Sequence, residues 1–292
     1  MIALDVVKFV WSHPANRDRR VRAVGTAVAW QAYKRVVRRP WDISVYGDMK
    51  MRCYPDCQGG GLMIYTNGMI DYDDGNFAMR YLRAGDAFVD VGANIGVYTL
   101  LAASRVGAEG KVLAFEPGKV AFQRLNENVK LNGLTQVKTM FAAVGEQSGE
   151  ASFLQSANLI NRFSLDGEAE KSEMVPCVTL DDMIGDTRYA MGKIDIEGAE
   201  PLAFQGAIKS LAVGNPPVWV MELKDRLLQR FDSSADQFAS QIRDLGYRLG
   251  QYDADANRLS FPDRPWENRD NVVAVHAEAV EQVNNRLADA IS

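Results

Sequence analysis

Cysteine and histidine are scarce: 292 residues hold three of the first and two of the second. Cys53, Cys57 and Cys177 form an odd, dispersed set, which argues against a disulfide-framed scaffold. Cys53 and Cys57 are separated by three residues, but no second Cys or His pair follows, and His13 and His276 stand alone, so a structural zinc site is not expected. No apolar run is long enough to cross a bilayer, and the start lacks the basic, apolar and small-residue order of a secretory leader, so a cytoplasmic location is the expectation. An excess of positive charge is missing too. Lys and Arg number 33 against 38 Asp and Glu, a net charge of -5, and this argues against nucleic acid as the main partner.

What is present is enough apolar residue, 47%, for a sizeable core, and the length suits one large α/β domain with appendages. The charge is unevenly spread. Residues 1–40 carry nine Lys and Arg against Asp5 and Asp18, a net of +7, which leaves the remainder near -12. Val21 to Val37 has helical spacing with Trp30 on its apolar side and reads as a basic amphipathic helix. Three uses fit it: a solvated face of a packed helix, contact with a membrane surface or acidic partner, or a dimer contact. From Trp41 to Ile70, Gly59-Gly60-Gly61 and β-forming residues at Ile43–Val45 and Leu62–Tyr65 predict short strands in a lid over part of the site. Residues 1–70 are thus read as an N-terminal helical and short-strand extension, and 71–292 as the main domain.

The chain is organised around Phe88-Val89-Asp90-Val91-Gly92-Ala93-Asn94-Ile95-Gly96-Val97-Tyr98-Thr99. A buried strand over Ala87–Val91 runs into a glycine turn, and apolar residues from Tyr98 to Val106 then recur at helical spacing. Gly92 permits a tight turn and Gly96 a close approach, so backbone N–H groups at the helix start face an open crevice suited to an anionic or polar ligand. Lys111–Phe115 reads as the next strand, with Glu116 at its carboxyl end. A carboxylate there commonly takes ribose hydroxyls. The turn is not G-x-G-x-x-G, since Asn94 stands at the second glycine, and this counts against a nicotinamide-dependent dehydrogenase.

Gly85 to Gly96, Ala114-Phe115-Glu116-Pro117, Asn128-Val129-Lys130-Leu131-Asn132, Thr179-Leu180-Asp181-Asp182 and Lys193-Ile194-Asp195-Ile196-Glu197-Gly198-Ala199-Glu200 together resemble the FkbM-type family of class I S-adenosylmethionine-dependent methyltransferases. The resemblance implies a doubly wound, mostly parallel Rossmann-like sheet. It implies S-adenosylmethionine as cofactor and a small-molecule hydroxyl acceptor, such as a sugar, a glycosylated metabolite or a polyketide. It assigns Asp90, Gly92, Ala93, Asn94, Gly96, Thr99 and Glu116 to the cofactor, with the small Ala142 and Ala143 beside the adenine. A non-catalytic S-adenosylmethionine-binding or scaffold protein is the alternative, and the acidic residues after the fourth strand make it less attractive.

Along the chain, helices are predicted at 71–82, 119–131, 235–245 and 278–291, and further strands at 137–141, 189–196, 218–223, 247–249, 258–261 and 271–275. Edge strands near 151–154 and 173–178 flank the polar stretch 155–171, read as a substrate loop. Tyr72 is a candidate cofactor contact or simply a helix start. Asp181 and Asp182 read as early acids of a helix capped by Thr179. Asp195 is the first candidate for a base or acceptor-orienting residue and Glu197 the second, with Lys193 as electrostatic partner. Glu200 is either catalytic or a first-turn acid on a helix dipole. Asp195, Glu197 and Glu222 offer oxygens to a hard cation, but no dedicated loop presents them and no metal is expected.

Overall fold

The computed structural model describes residues 4–154, 162–163 and 172–290. Apart from the pair 162–163, the stretch read as a substrate loop lies outside the described residues.

Helices α1 (Leu4–Ser12) and α2 (Arg20–Val36) lead into the hairpin β1 (Trp41–Val45) and β2 (Met49–Cys53), then α3 (Gln58–Tyr65) and α4 (Tyr72–Tyr81). The segment 58–65 is a helix, not the predicted strand. Its glycines serve close packing. A Cβ on Gly60 would lie 3.2 Å from the Cys53 Cα, and one on Gly61 would lie 3.5 Å from Trp30 Nε1. The Cys57 thiol caps the helix by accepting from the Gly60 N–H. The hairpin braces α6 (Lys119–Leu131) instead of roofing the site. The Lys50 and Arg52 N–H groups donate to Asn132 Oδ1 and Asn128 Oδ1, each at 2.7 Å.

The central strands follow the predicted runs closely. β3 (Ala87–Val91), β4 (Lys111–Phe115), β5 (Val137–Met140), β10 (Met191–Ile194) and β11 (Val218–Glu222) are parallel. β12 (Tyr247–Asp253), β13 (Arg258–Ser260) and β14 (Asn271–His276) complete an eight-stranded sheet in the order β13-β12-β14-β11-β10-β3-β4-β5. β14 enters antiparallel between β11 and β12. Alternate residues feed two cores. Phe88, Val218, Val220, Val273 and Val275 join one, while Val89, Val91, Trp219, Met221, Val272 and Ala274 join the other. Both faces are therefore covered, by α4, α5 (Val97–Val106) and α11 (Val280–Asp289) on one side and by α8 (Glu200–Gln205), α9 (Ile208–Ala212) and α10 (Ala235–Asp244) on the other. This is a doubly wound, Rossmann-like α/β fold, and the strand order reverses between β3 and β10.

The strands predicted near 151–154 and 173–178 form, but not at an edge of the main sheet. β7 (Gly149–Leu154) and β9 (Ser172–Val178) pair with each other in a separate four-stranded sheet with β6 (Ala143–Val144) and β8 (Arg162–Phe163). Its Phe153, Val175, Cys177 and Ala143 make a small core of their own. All three cysteines are buried and free. Among the described residues no helix is long and apolar enough to cross a membrane.

Candidate active-site cleft

The cleft begins where β3 ends. Gly92 has φ +83°, and a Cβ there would lie 2.1 Å from the Asp195 carbonyl oxygen, so the turns after β3 and β10 meet only because this residue has no side chain. Backbone bonds lock the junction. The Gly92 and Ala93 N–H groups donate to the Phe115 carbonyl, and the Asp195 N–H donates to the Val91 carbonyl. Asn94 holds φ +51°, a region asparagine tolerates, and its Oδ1 accepts from the Ile95 N–H at 2.8 Å. Gly96 (φ +98°) starts α5 close enough to Leu125 that a Cβ would lie 2.9 Å from its Cδ1.

Glu116, 4% exposed, ties the second strand to this turn. One carboxylate oxygen accepts from the Asn94 N–H at 2.8 Å and the other from the Gly118 N–H at 2.7 Å. The cleft it faces is about 690 Å³ measured out to solvent, within the range of small-molecule sites. One wall is apolar, from Phe115, Ala142, Ala143, Val144 and Phe153. The other carries Asp195, Ile196 and Glu197.

The Asp195–Glu200 loop is held in an unusual conformation. Glu197, with φ +60°, is a non-glycine residue in the left-handed region, a strain that concentrates at functional sites. Gly198 follows at φ +101°, where a Cβ would lie 2.3 Å from the Leu227 carbonyl oxygen. Glu200 anchors the loop from beneath, with Oε1 accepting from the Ile196 N–H at 2.9 Å. Burial pushes its carboxyl up to about 8. Glu197 is raised as well, by burial first and then by the Asp195 charge, with Lys224, Arg230 and Arg226 opposing.

Behind the cleft lies a buried charge cluster. Lys193 sits opposite Asp90 in the β10/β3 register, only 2% exposed, and donates from Nζ to Asp195 Oδ2 at 3.1 Å. Its ammonium also lies 5.3 Å from the Tyr98 ring centroid. Burial works against the charge, but Asp195, Asp71 and Asp74 outweigh it and hold the ammonium above its ordinary range. Asp71 accepts from Tyr98 Oη at 3.2 Å and is raised by burial. Asp74, which accepts from Asn271 Nδ2 at 2.8 Å, and Asp90 are each pushed by burial to about 6. Glu222 pairs with Lys224 at 2.6 Å and is raised to about 7 by burial and by Asp195.

Of the twelve residues singled out from the sequence, Gly92, Asn94, Glu116, Ala142, Ala143, Asp195 and Glu197 line the cleft. Ala93 and Gly96 shape the turn beneath it. Asp90 and Thr99 do not line it. The Thr99 hydroxyl donates to Asp90 Oδ2 at 2.6 Å, tying α5 to β3, because Asp90 alternates with Val89 and Val91 and so points to the α5 side. Lys193 lies behind the cleft and acts on it through Asp195. Tyr72 points away, donating to Asp255, and is a helix start. Asp181 and Asp182 accept bonds from Ser210 and Ser148, and Thr179 caps α7 (Leu180–Ile184), as structural readings of those acids require. Among the described residues, Asp195, Glu197 and Glu222 form no group arranged to hold a metal. Sequence reading missed Phe153, which comes from the separate sheet, and the Asp71, Asp74 and Tyr98 shell around Lys193. No local pattern signals that shell, because Asp71, Asp74 and Tyr98 precede Lys193 by 122, 119 and 95 residues.

Residues 90–249 match the methyltransferase FkbM domain. Among solved structures, the chain resembles an S-adenosylmethionine-dependent O-methyltransferase from Thermotoga maritima (16% identity, TM-score 0.38, 69% of this chain and 64% of that one). It also resembles a putative rRNA methylase from Clostridium thermocellum (12%, 0.42, 69% and 90%). A third likeness is to the Pyrococcus abyssi tRNA (uracil-54, C5)-methyltransferase in complex with S-adenosyl-L-homocysteine (13%, 0.43, 81% and 44%). The chain thus spans less than two thirds of the length of the first and third. Likenesses this distant say nothing about the acceptor. Among curated proteins none matches the chain.

Proposed function

We propose, from the premise that this chain belongs to the methyltransferase FkbM domain family, that it methylates a hydroxyl of a small-molecule acceptor such as a sugar, a glycosylated metabolite or a polyketide. S-Adenosylmethionine is the methyl donor of that family. The observation that carries the reading is one cleft with Glu116 on one side of the strand-order reversal and Asp195 and Glu197 on the other.

The residues present fit this cofactor. Glu116 is an acceptor-only group, suited to vicinal ribose hydroxyls, and Phe115, Phe153 and Ala142–Val144 form an apolar wall suited to a flat ring. Gly92, Ala93, Asn94 and Gly96 would shape the turn beneath the cofactor without donating to it, because their N–H groups are engaged by the Phe115 and Ala93 carbonyls and by Glu116. Asp90 and Thr99 would support that turn from behind through their mutual hydrogen bond. Bound there, the sulfonium supplies an electrophilic methyl carbon for in-line displacement.

The chain's own part is to align the acceptor and receive its proton. Asp195 has one oxygen engaged by the Lys193 ammonium and is therefore better suited to orienting a hydroxyl. Glu197 has a proton affinity raised by burial and no side-chain hydrogen-bond partner among the described residues, which suits it to accept the proton. Lys193, kept charged by Asp71, Asp74 and Asp195, holds Asp195 in place.

The test uses methyl-tritiated S-adenosylmethionine with a fractionated metabolite extract. Label should enter small molecules and survive mild base, as an ether does. Label in RNA or protein would overturn the acceptor class. On an identified acceptor, Glu197→Gln should lose about 10²–10⁴-fold in turnover, and near-normal turnover would refute its role.

A further inference from the structure

Exposed apolar side chains concentrate at one place on the surface. Of eleven large apolar residues that stand exposed among the described residues, seven lie between Leu4 and Val37. On α2 they form a pattern. Val21, Gly25, Val28, Ala29, Ala32 and Val36 fall at i, i+4, i+7, i+8, i+11 and i+15, one outward stripe opposite the core-facing Ala23, Ala27 and Trp30. A solvated helix face should be polar, yet none of these six carries a polar or charged side chain, and Val21 and Val36 are 78% and 81% exposed.

Arginines border this stripe. Arg22 and Arg35 flank it, Arg20 stands at its start and Arg38 and Arg39 follow its end. Among the described residues no carboxylate pairs with any of these five; Arg17, paired with Asp255, is the N-terminal cation that has one. α1 adds Leu4, Lys8 and Trp11 on one exposed face, with the Arg20 guanidinium 5.7 Å from the Trp11 ring. The surface is a fixed platform. Asn16, fully buried, donates to the Val10 and Tyr65 carbonyls at 2.9 and 2.7 Å, and Trp30 sits in the core beneath α2.

We propose that residues 4–39 dock this protein on an anionic lipid bilayer, with the arginines in the headgroup layer and the α2 stripe, Leu4 and Trp11 at its apolar boundary. Charge complementarity selects this occupant. Residues 1–40 carry +7 in a chain of -5, so a second copy meeting this face with its own would bring like charges together. A nucleic acid would satisfy the arginines and leave the valines facing water. An anionic bilayer takes both, and interfacial helices with basic borders and an apolar face bind in this way.

Sedimentation of the full chain with phosphatidylcholine vesicles, with and without phosphatidylglycerol, tests the proposal. Binding should require the anionic lipid and weaken with added salt. Val28→Glu should abolish most of it, and Arg22→Glu with Arg35→Glu should lower the partition by about fivefold or more per charge. Val213→Glu, at an exposed valine elsewhere, should change nothing, and the melting temperature of each variant reports whether it folds. Equal binding to neutral vesicles, or none to anionic ones, would overturn the proposal. So would a concentration-dependent dimer, or RNA binding, that Val28→Glu removes while vesicle binding persists.

Discussion

Replacing Glu200 with glutamine removes one titration and leaves the shape of the side chain and an acceptor for the Ile196 N–H. Glu200 is 1% exposed, and burial raises its carboxyl from 4.5 to about 8. A group whose native proton affinity is raised contributes stability that is fully present below its unfolded value and is lost as the pH climbs through its folded value. Between those limits the native state holds a proton that the unfolded state has released, so stability falls by about 1.4 kcal/mol per pH unit. From pH 5 to 8 the loss from Glu200 comes to roughly 3–4 kcal/mol. Asp74 and Asp90 add the same sign only up to about 6, and Glu222 up to about 7, so above pH 7 the slope belongs mainly to Glu200. The window closes near pH 8, because the buried cysteines add a similar slope once unfolded thiols ionise, around 8.5. Denaturant melts of wild type and Glu200→Gln across this range should coincide near pH 5. They should separate as the pH rises, with the variant more stable by about 3 kcal/mol at pH 8, or some 6 °C in melting temperature. Parallel curves at every pH would refute the assignment of Glu200 as a buried, protonated carboxyl.

Gly92→Ala should destabilise the fold by about 3 kcal/mol or more, since it combines a positive φ with a 2.1 Å approach to the Asp195 carbonyl; a melting temperature within a degree of wild type would mean the two turns are not in contact. Lys193→Met leaves Asp71, Asp74 and Asp195 without their cation and should cost about 3–5 kcal/mol at pH 8. The cost should shrink toward pH 5, below the value of about 6 to which burial raises Asp74, and a penalty independent of pH would contradict the cluster. Asp195→Asn should raise KM for the acceptor more than it lowers kcat, and the reverse split would make Asp195 the proton acceptor in place of Glu197.

The parts of the fold legible in the sequence are those with a local cause. β3, β4 and α6 stand where their apolar runs and the Asn132-Gly133 stop place them. Gly59-Gly60-Gly61 misled because glycine marks two things, a turn or a close approach, and only the packing of α3 on β2 and Trp30 decides between them. β6 has two residues and no period to read, and its parallel partner β9 arrives some thirty residues later, so the separate sheet was invisible. The cleft's carboxylates were legible because each follows a strand. Asp90 shows the limit of motif reading, since strand alternation turns it toward Thr99 and away from the cleft. The charge cluster joins Asp71 and Asp74 to Lys193 across more than a hundred residues, a pairing that no local pattern encodes.

The central claim is that the cleft between the β3 and β10 ends holds S-adenosylmethionine with Glu116 on its ribose. Isothermal titration of S-adenosylhomocysteine into the full chain, with chelator present, tests it directly when repeated on Glu116→Gln. One saturable site per chain is the expected result. The variant should bind about tenfold or more weakly, for the loss of a charge-assisted hydrogen bond worth roughly 1.5–3 kcal/mol. Absence of binding to the wild type, preferential binding of NAD, or equal affinity in a folded Glu116→Gln would contradict the account.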